Sequence, residues 1–186
     1  MKKVSLSEIE ACIAGDKISQ KKVFEQFYNT LFRVCFRYTN NIPDAEDCLM
    51  TGYVKAFKNI HSFNWDNDNS FYWWIKKIMV NESLMHLRSR QNFSMFVEED
   101  LSVVDVEIPA SVYSSFEAEE LAEMIGRLPA GYRTVFNLFV VEGYSHQEIG
   151  EVLKISPVTS RTQLAKARLK LQDLMKRNIN YGKTGR

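Results

Sequence analysis

The chain has 186 residues, with 24 Lys and Arg, 23 Asp and Glu and 3 His, for a formal net charge of +1. Hydrophobic residues at 45% and charged residues at 25% are the proportions of an ordinary globular protein and exclude a disordered chain. With 8 Gly and 4 Pro, an all-β chain rich in tight turns is excluded too. No run approaches the ~20 apolar residues of a membrane-spanning helix. Glu8 and Glu10 interrupt the first apolar stretch, so no signal peptide is read there. Cys12, Cys35 and Cys48, odd in number and far apart, fit free thiols in a reducing cytoplasm. The expectation is a cytoplasmic protein of one or two small domains.

In chain order, Ser7 is placed to cap a short helix ending near Gly15. Val23, Phe24, Phe27, Leu31, Val34, Cys35 and Tyr38 recur at spacings of three and four, which predicts an amphipathic helix. Asn40-Asn41-Ile42-Pro43 breaks it. The next helix carries Asp44, Glu46 and Asp47 at its positive end, with Ala45, Cys48, Leu49, Val54 and Phe57 on its apolar surface. His61 to Asn69 reads as a polar loop around Trp65, and Ser70 caps a helix from Phe71 to about Arg90. Residues 91–115 read as a tethering linker containing Pro109, with a short strand at Leu101 to Val106 as the alternative. Phe116 to Leu128 is helical, with Leu121, Met124, Ile125 and Leu128 on one face. Pro129 opens a further helix that stops near Gly143.

Charge divides this chain in three. Residues 1–90 hold 13 bases and 10 acids, residues 91–126 hold no base and 9 acids, and residues 127–186 hold 11 bases and 4 acids. Two basic parts are hidden by an acidic middle, an asymmetry that suits a polyanionic partner.

The C-terminal part carries a helix-turn-helix pattern. Ser145 and Glu148 have capping-box spacing. Ile149, Val152 and Leu153 line a buried face, Lys154-Ile155 turns the chain, and Ser156-Pro157 is an N-cap followed by a proline at the first helical position. Ser160, Leu164, Ala167, Leu171 and Leu174 then form the inward stripe, opposite Arg161, Thr162, Ala165, Lys166 and Arg168. A recognition helix needs such a basic and hydroxyl face from its first turns. In the first domain Phe71, Tyr72, Trp73 and Trp74 crowd one turn, followed by Lys76, Lys77, Asn81, Arg88 and Arg90. Four consecutive aromatics cannot all face one core, since each step turns the helix by about 100°. Rings beside bases suit single-stranded nucleic acid, and at least one of them, Trp74 by preference, is expected to close the core.

Taken in order, three segments resemble the bacterial extracytoplasmic-function sigma factors, the smallest two-domain members of the sigma-70 family. Asp44-Ala45-Glu46-Asp47, running on to Lys55 through Ile60, is similar to the core-polymerase-binding helix. Phe71 to Arg90 is similar to the helix that melts and reads the minus-ten element. Leu128-Pro129, Tyr132 to Phe136, Glu142 to Ser145, Glu148-Ile149 and Ile155 to Leu171 are similar to the domain that reads the minus-thirty-five element. The resemblance implies an all-α protein of two small helical domains joined by a flexible acidic linker, the second a helix-turn-helix. The domains are 1–90 for core binding and minus-ten recognition, 91–115 for the linker and 116–186 for minus-thirty-five recognition. The implied function is that of a transcription initiation factor that binds core RNA polymerase and directs it to promoters. Asp44, Glu46, Asp47 and Met50 would dock on the clamp. The loop at Trp65, with Asn81, would hold a flipped base beside Phe71 and Trp73, and Lys76, Lys77, Arg88 and Arg90 would grip the backbone. Thr159, Arg161, Thr162, Gln163 and Lys166 would read duplex DNA while Arg133 and Ser156 position phosphates. The second domain would meet the flap, the linker would thread towards the RNA exit channel, and an anti-sigma factor is a further partner.

The chain departs from that pattern at three places. Met50-Thr51-Gly52 replaces a more polar stretch, and Gly52 weakens a helix by ~1 kcal/mol. Ser160 stands where Val is usual, so looser packing of the recognition helix is expected. Gln163 stands where a base is common, which removes one phosphate contact. The alternative function is a helix-turn-helix regulator that never becomes a polymerase subunit. An enzyme is not expected: no HExxH, GxGxxG, P-loop or GxSxG occurs, His61, His86 and His146 are distant in sequence, and the cysteines lack metal-ligand spacing, so neither metal nor cofactor is implied.

Overall fold

The computed structural model describes residues 4–67, 69–90 and 116–184, leaving aside the side chains of Arg90 and of residues 178–184. The expected linker at 91–115, with its alternative strand at Leu101 to Val106, lies outside the described residues. The chain divides into two compact units, Met1–Arg90 and Gln91–Arg186. Among the described residues there is no strand.

The first unit begins with α1 (Leu6–Ile13), capped by Ser5 and not by the expected Ser7. Ser5 wins because Glu8 stands three residues on. The Glu8 amide donates to Ser5 Oγ at 3.3 Å and the Ser5 amide to the Glu8 carboxylate at 3.0 Å. That backbone bond from Ser5, with the Ser5 hydroxyl, holds the Glu8 carboxyl below the usual range. Asp16 caps α2 (Lys17–Thr39), which ends at Asn40 in the left-handed region (φ 52°). Asn41 caps α3 (Ile42–Asn59) by accepting the Asp44 amide at 3.1 Å, and Pro43 lies inside the first turn. A 3-10 turn (Ile60–Ser62) and an irregular loop lead to α4 (Ser70–Arg90).

Helices α2, α3 and α4 pack against one another around Phe27, Leu31, Tyr38, Leu49, Phe71, Ile75 and Met79, all essentially solvent-free. Val54 departs from the predicted apolar face of α3 and stands in solvent. Gly52 is buried, and a Cβ there would overlap Met79 Sδ. Its cost to helix propensity is therefore offset by the close approach of α3 to α4 that it allows.

The second unit runs through α5 (Ala118–Gly126), α6 (Ala130–Phe136), a π-turn (Asn137–Val141), α7 (His146–Leu153) and α8 (Pro157–Thr184). The predicted continuous helix up to Gly143 is thus interrupted by a π-turn that buries Asn137 and Leu138. The Ser145–Glu148 capping box forms as read from the sequence. Lys154 makes the turn in the left-handed region (φ 56°). The turn closes over Gly150, where a Cβ would lie 2.8 Å from the Ile155 carbonyl oxygen.

Candidate nucleic-acid interface

The outer face of α3 exposes Glu46, Asp47 and Met50, with Ile42 and Val54 also in solvent. Asp44 differs from the expectation. Its carboxylate lies 3.5 Å from His86 Nε2 on α4, and both side chains are largely covered. Beside that pair a groove of about 250 Å³ is lined by Asp47, Cys48 and Thr51 of α3 and by Glu82, Met85, His86 and Ser89 of α4. One wall is fixed by an ion pair: Lys55 Nζ donates to both carboxylate oxygens of buried Glu82 at 2.7 Å. The three thiols are buried, and desolvation pushes Cys12 and Cys48 up to about 11 and Cys35 to about 12, so they serve as small core groups.

Helix α4 sorts its aromatic and basic residues by face. Trp73 (55% exposed), Lys77, Asn81 and Arg88 stand in solvent at spacings of four, four and seven, with exposed Met85 between the last two, one stripe along the helix. Trp74 packs as expected, its ring centroid 5.4 Å from Phe63 and 5.7 Å from Phe71. Two predicted contact residues turn inward. Phe71 is buried against Phe27 and Phe63. Lys76 is 8% exposed, its ammonium 5.0 Å from the centre of the Trp73 ring. Trp65 is half-buried and meets Phe63 edge-on at 6.4 Å. The loop's rings thus touch the first turn of α4, whereas Asn81 lies eight residues beyond Trp73, about 12 Å along the axis. The side chain of Arg90, predicted to grip DNA, lies outside those described.

In the second unit Arg133 is buried, and its Nη1 donates to the carbonyls of Leu128 at 2.8 Å and Gly126 at 3.2 Å. It closes the C-terminal end of α5 instead of reaching a phosphate. Burial lowers its pKa from the ordinary arginine value, and those carbonyls satisfy the charge that solvent no longer does. Ser156 caps α8, its Oγ accepting the Thr159 amide at 2.9 Å and lying 2.8 Å from Thr159 Oγ1. Thr159 and Gln163, both predicted to read DNA, are each 5% exposed, and Ala165 is buried too. Gln163 therefore has little surface to offer a partner in this structure.

Ser160, expected to loosen the packing, is fully buried, and its Oγ shares a 2.9 Å hydrogen bond with Nδ1 of His146, the first residue of α7. The His146 ring stacks on Phe139 of the π-turn, centroids 4.5 Å apart. The polar pair joins three elements that a valine would only have touched. Arg161 is exposed, and Thr162 and Lys166 are half-exposed, on the outward side. Val158, half exposed on the same side, is a member of this face that the sequence reading passed over. Its place three and four residues before Arg161 and Thr162 was the available signal.

Among the described residues no helix is long and apolar enough to cross a membrane, and no cluster of three His, Cys, Asp or Glu could hold a metal.

Two family models match the chain in order: sigma-70 region 2 over residues 23–93 and sigma-70 region 4 over residues 118–171. The ECF RNA polymerase sigma factor SigW of Bacillus subtilis is 27% identical over 165 residues, covering 83% of this chain and 87% of that one. The ECF RNA polymerase sigma-E factor of Haemophilus influenzae is 27% identical over 184 residues, covering 90% and 95%. A solved structure of the sigma factor RpoE with the anti-sigma factor NepR from Bartonella quintana is 21% identical, covers 84% of this chain and 96% of that one, and has a TM-score of 0.49.

Proposed function

Since the chain belongs to the sigma-70 family, in its extracytoplasmic-function group, we propose that it binds core RNA polymerase through its first unit and directs it to promoters by two separate faces. It is a transcription initiation factor, and promoter DNA and the polymerase are its partners. The observation that carries the division of labour is that each unit exposes one helix face bearing cations and groups able to meet bases. In the first unit these are Trp73, Lys77, Asn81 and Arg88; in the second they are Arg161, Thr162 and Lys166.

The chemistry of each face suits its target. An exposed indole offers a stacking platform to an unpaired base, Asn81 can bond a base edge, and Lys77 and Arg88 attract the backbone. A capped helix following a tight turn presents Arg161 to the major groove, where its fork matches guanine O6 and N7. Glu46, Asp47 and Met50 on α3 offer a mixed acidic and apolar surface to the clamp. The protein supplies binding energy and no covalent step. An anti-sigma factor that covers one of these faces is the expected regulator of the family.

The test is co-purification with core polymerase followed by promoter-dependent runoff transcription. The reading expects a core complex that initiates at discrete sites. R161A/K166A should weaken use of the upstream element by about 10-fold or more while core binding persists. Failure to bind core enzyme overturns the reading and leaves the helix-turn-helix regulator, for which the α3 and α4 faces would have no purpose.

A further inference from the structure

The rotational setting of α8 is held by named contacts. Ser160 is pinned inward by His146, and Thr159, Gln163 and Leu164 are buried beside it. With that phase set, Val158, Arg161 and Thr162 are turned outward from the first two turns. Val158 is 50% exposed, an aliphatic side chain in the opening turn of a helix whose neighbouring outward residue is a cation. The hydroxyl of Thr162 donates to the Val158 carbonyl oxygen at 3.2 Å, so its proton is turned back on the helix while its oxygen stays able to accept from a base. The leading edge of the recognition helix is therefore aliphatic beside a guanidinium.

One group on a major-groove base edge is apolar, the C5-methyl of thymine. The N-terminal residues of a recognition helix are those that meet base edges. We propose that Val158 is a specificity-determining residue that packs on a thymine methyl in the upstream promoter element, beside the base read by Arg161. The proposal deepens the promoter-reading role above and rests on it. Val158 and Arg161 are three residues apart, about 4.5 Å along the axis. That is one to two base-pair steps at 3.4 Å each, so thymine and guanine fall within two base pairs of each other.

The experiment uses holoenzyme assembled from core polymerase and the full chain. Duplex promoters randomised over the upstream segment are selected for binding. Each thymine of the winning sequence is then replaced by deoxyuridine, which removes the methyl alone. At one thymine the wild type should lose about three- to fourfold in affinity, the value of one buried methyl. Val158→Ala should bind the thymine duplex as weakly as the wild type binds the uracil duplex, and lose nothing further on the uracil duplex. Its melting temperature should be unchanged, since the side chain is exposed. Indifference of the wild type to every methyl deletion overturns the proposal, as does full methyl sensitivity retained by Val158→Ala. Selection of no upstream sequence at all by a holoenzyme that forms removes the promoter-reading role of α8 and the proposal with it, which separates the two failures.

Discussion

The two units hold α4 and α8, the helices proposed to meet nucleic acid, in place by different contacts. In the first unit α4 is tied to α3 by an ion pair, Lys55–Glu82 at 2.7 Å, and Asp44 lies 3.5 Å from His86 beside it. In the second, α8 is tied to α7 by a hydrogen bond between the Ser160 hydroxyl and the His146 ring, and by a turn that closes over Gly150. Removing the ammonium leaves a buried carboxylate charge unpaired, whereas removing the hydroxyl deprives one ring nitrogen of a single hydrogen bond, so the first loss is expected to cost more. The first unit should therefore tolerate polar changes badly and the second should tolerate steric changes badly.

The largest effect should come from Gly150→Ala. Its methyl meets a backbone carbonyl that cannot move without unwinding the turn, and about 3 kcal/mol of stability is expected to be lost from the second unit. Thermal melting with hydrogen exchange resolved by unit checks this; a loss confined to amides of residues 118–177 is the expected pattern. Next comes Lys55→Met, which leaves Glu82 buried without its ammonium and should cost about 2 kcal/mol in the first unit, tempered by the partial exposure of Lys55. A double change with Glu82→Gln should recover most of it, because the charge is then gone from both sides. The smallest effect is Ser160→Ala, about 1 kcal/mol, with core binding intact. If Ser160→Ala costs more than Lys55→Met in urea unfolding, the contrast between the ion-pair tie and the hydroxyl–imidazole tie is wrong.

The face of each DNA-directed helix was legible in part from sequence. Spacing showed that the four aromatics of α4 could not all face the core, and the Ser145–Glu148 capping box with Ser156-Pro157 located the helix-turn-helix, because caps depend on residues a few positions apart. Spacing did not separate Lys76 from Lys77 or Thr159 from Thr162. Each of these pairs is polar, and a polar residue carries no sign of which way it faces until a partner is present. Lys76 meets the Trp73 ring one turn before it and Arg133 the carbonyls that end α5, local contacts that spacing permits but that the sequence does not single out from solvent-facing alternatives.

Sequence by itself determined most of the helical elements, a break at Asn40-Asn41, the three-part charge pattern and the order of segments that carries the family. These depend on local propensity, periodicity and composition, all properties of neighbouring residues. The tertiary structure decided which polar side chains remain for a partner. It turned Asp44, Lys76, Arg133, Thr159 and Gln163 inward and left Val158 outward. The physical reason is that burial and pairing are set by which helix faces meet. Gly52 leaves room for the Met79 side chain between α3 and α4, and Gly150 lets the turn carbonyl of Ile155 close over α7.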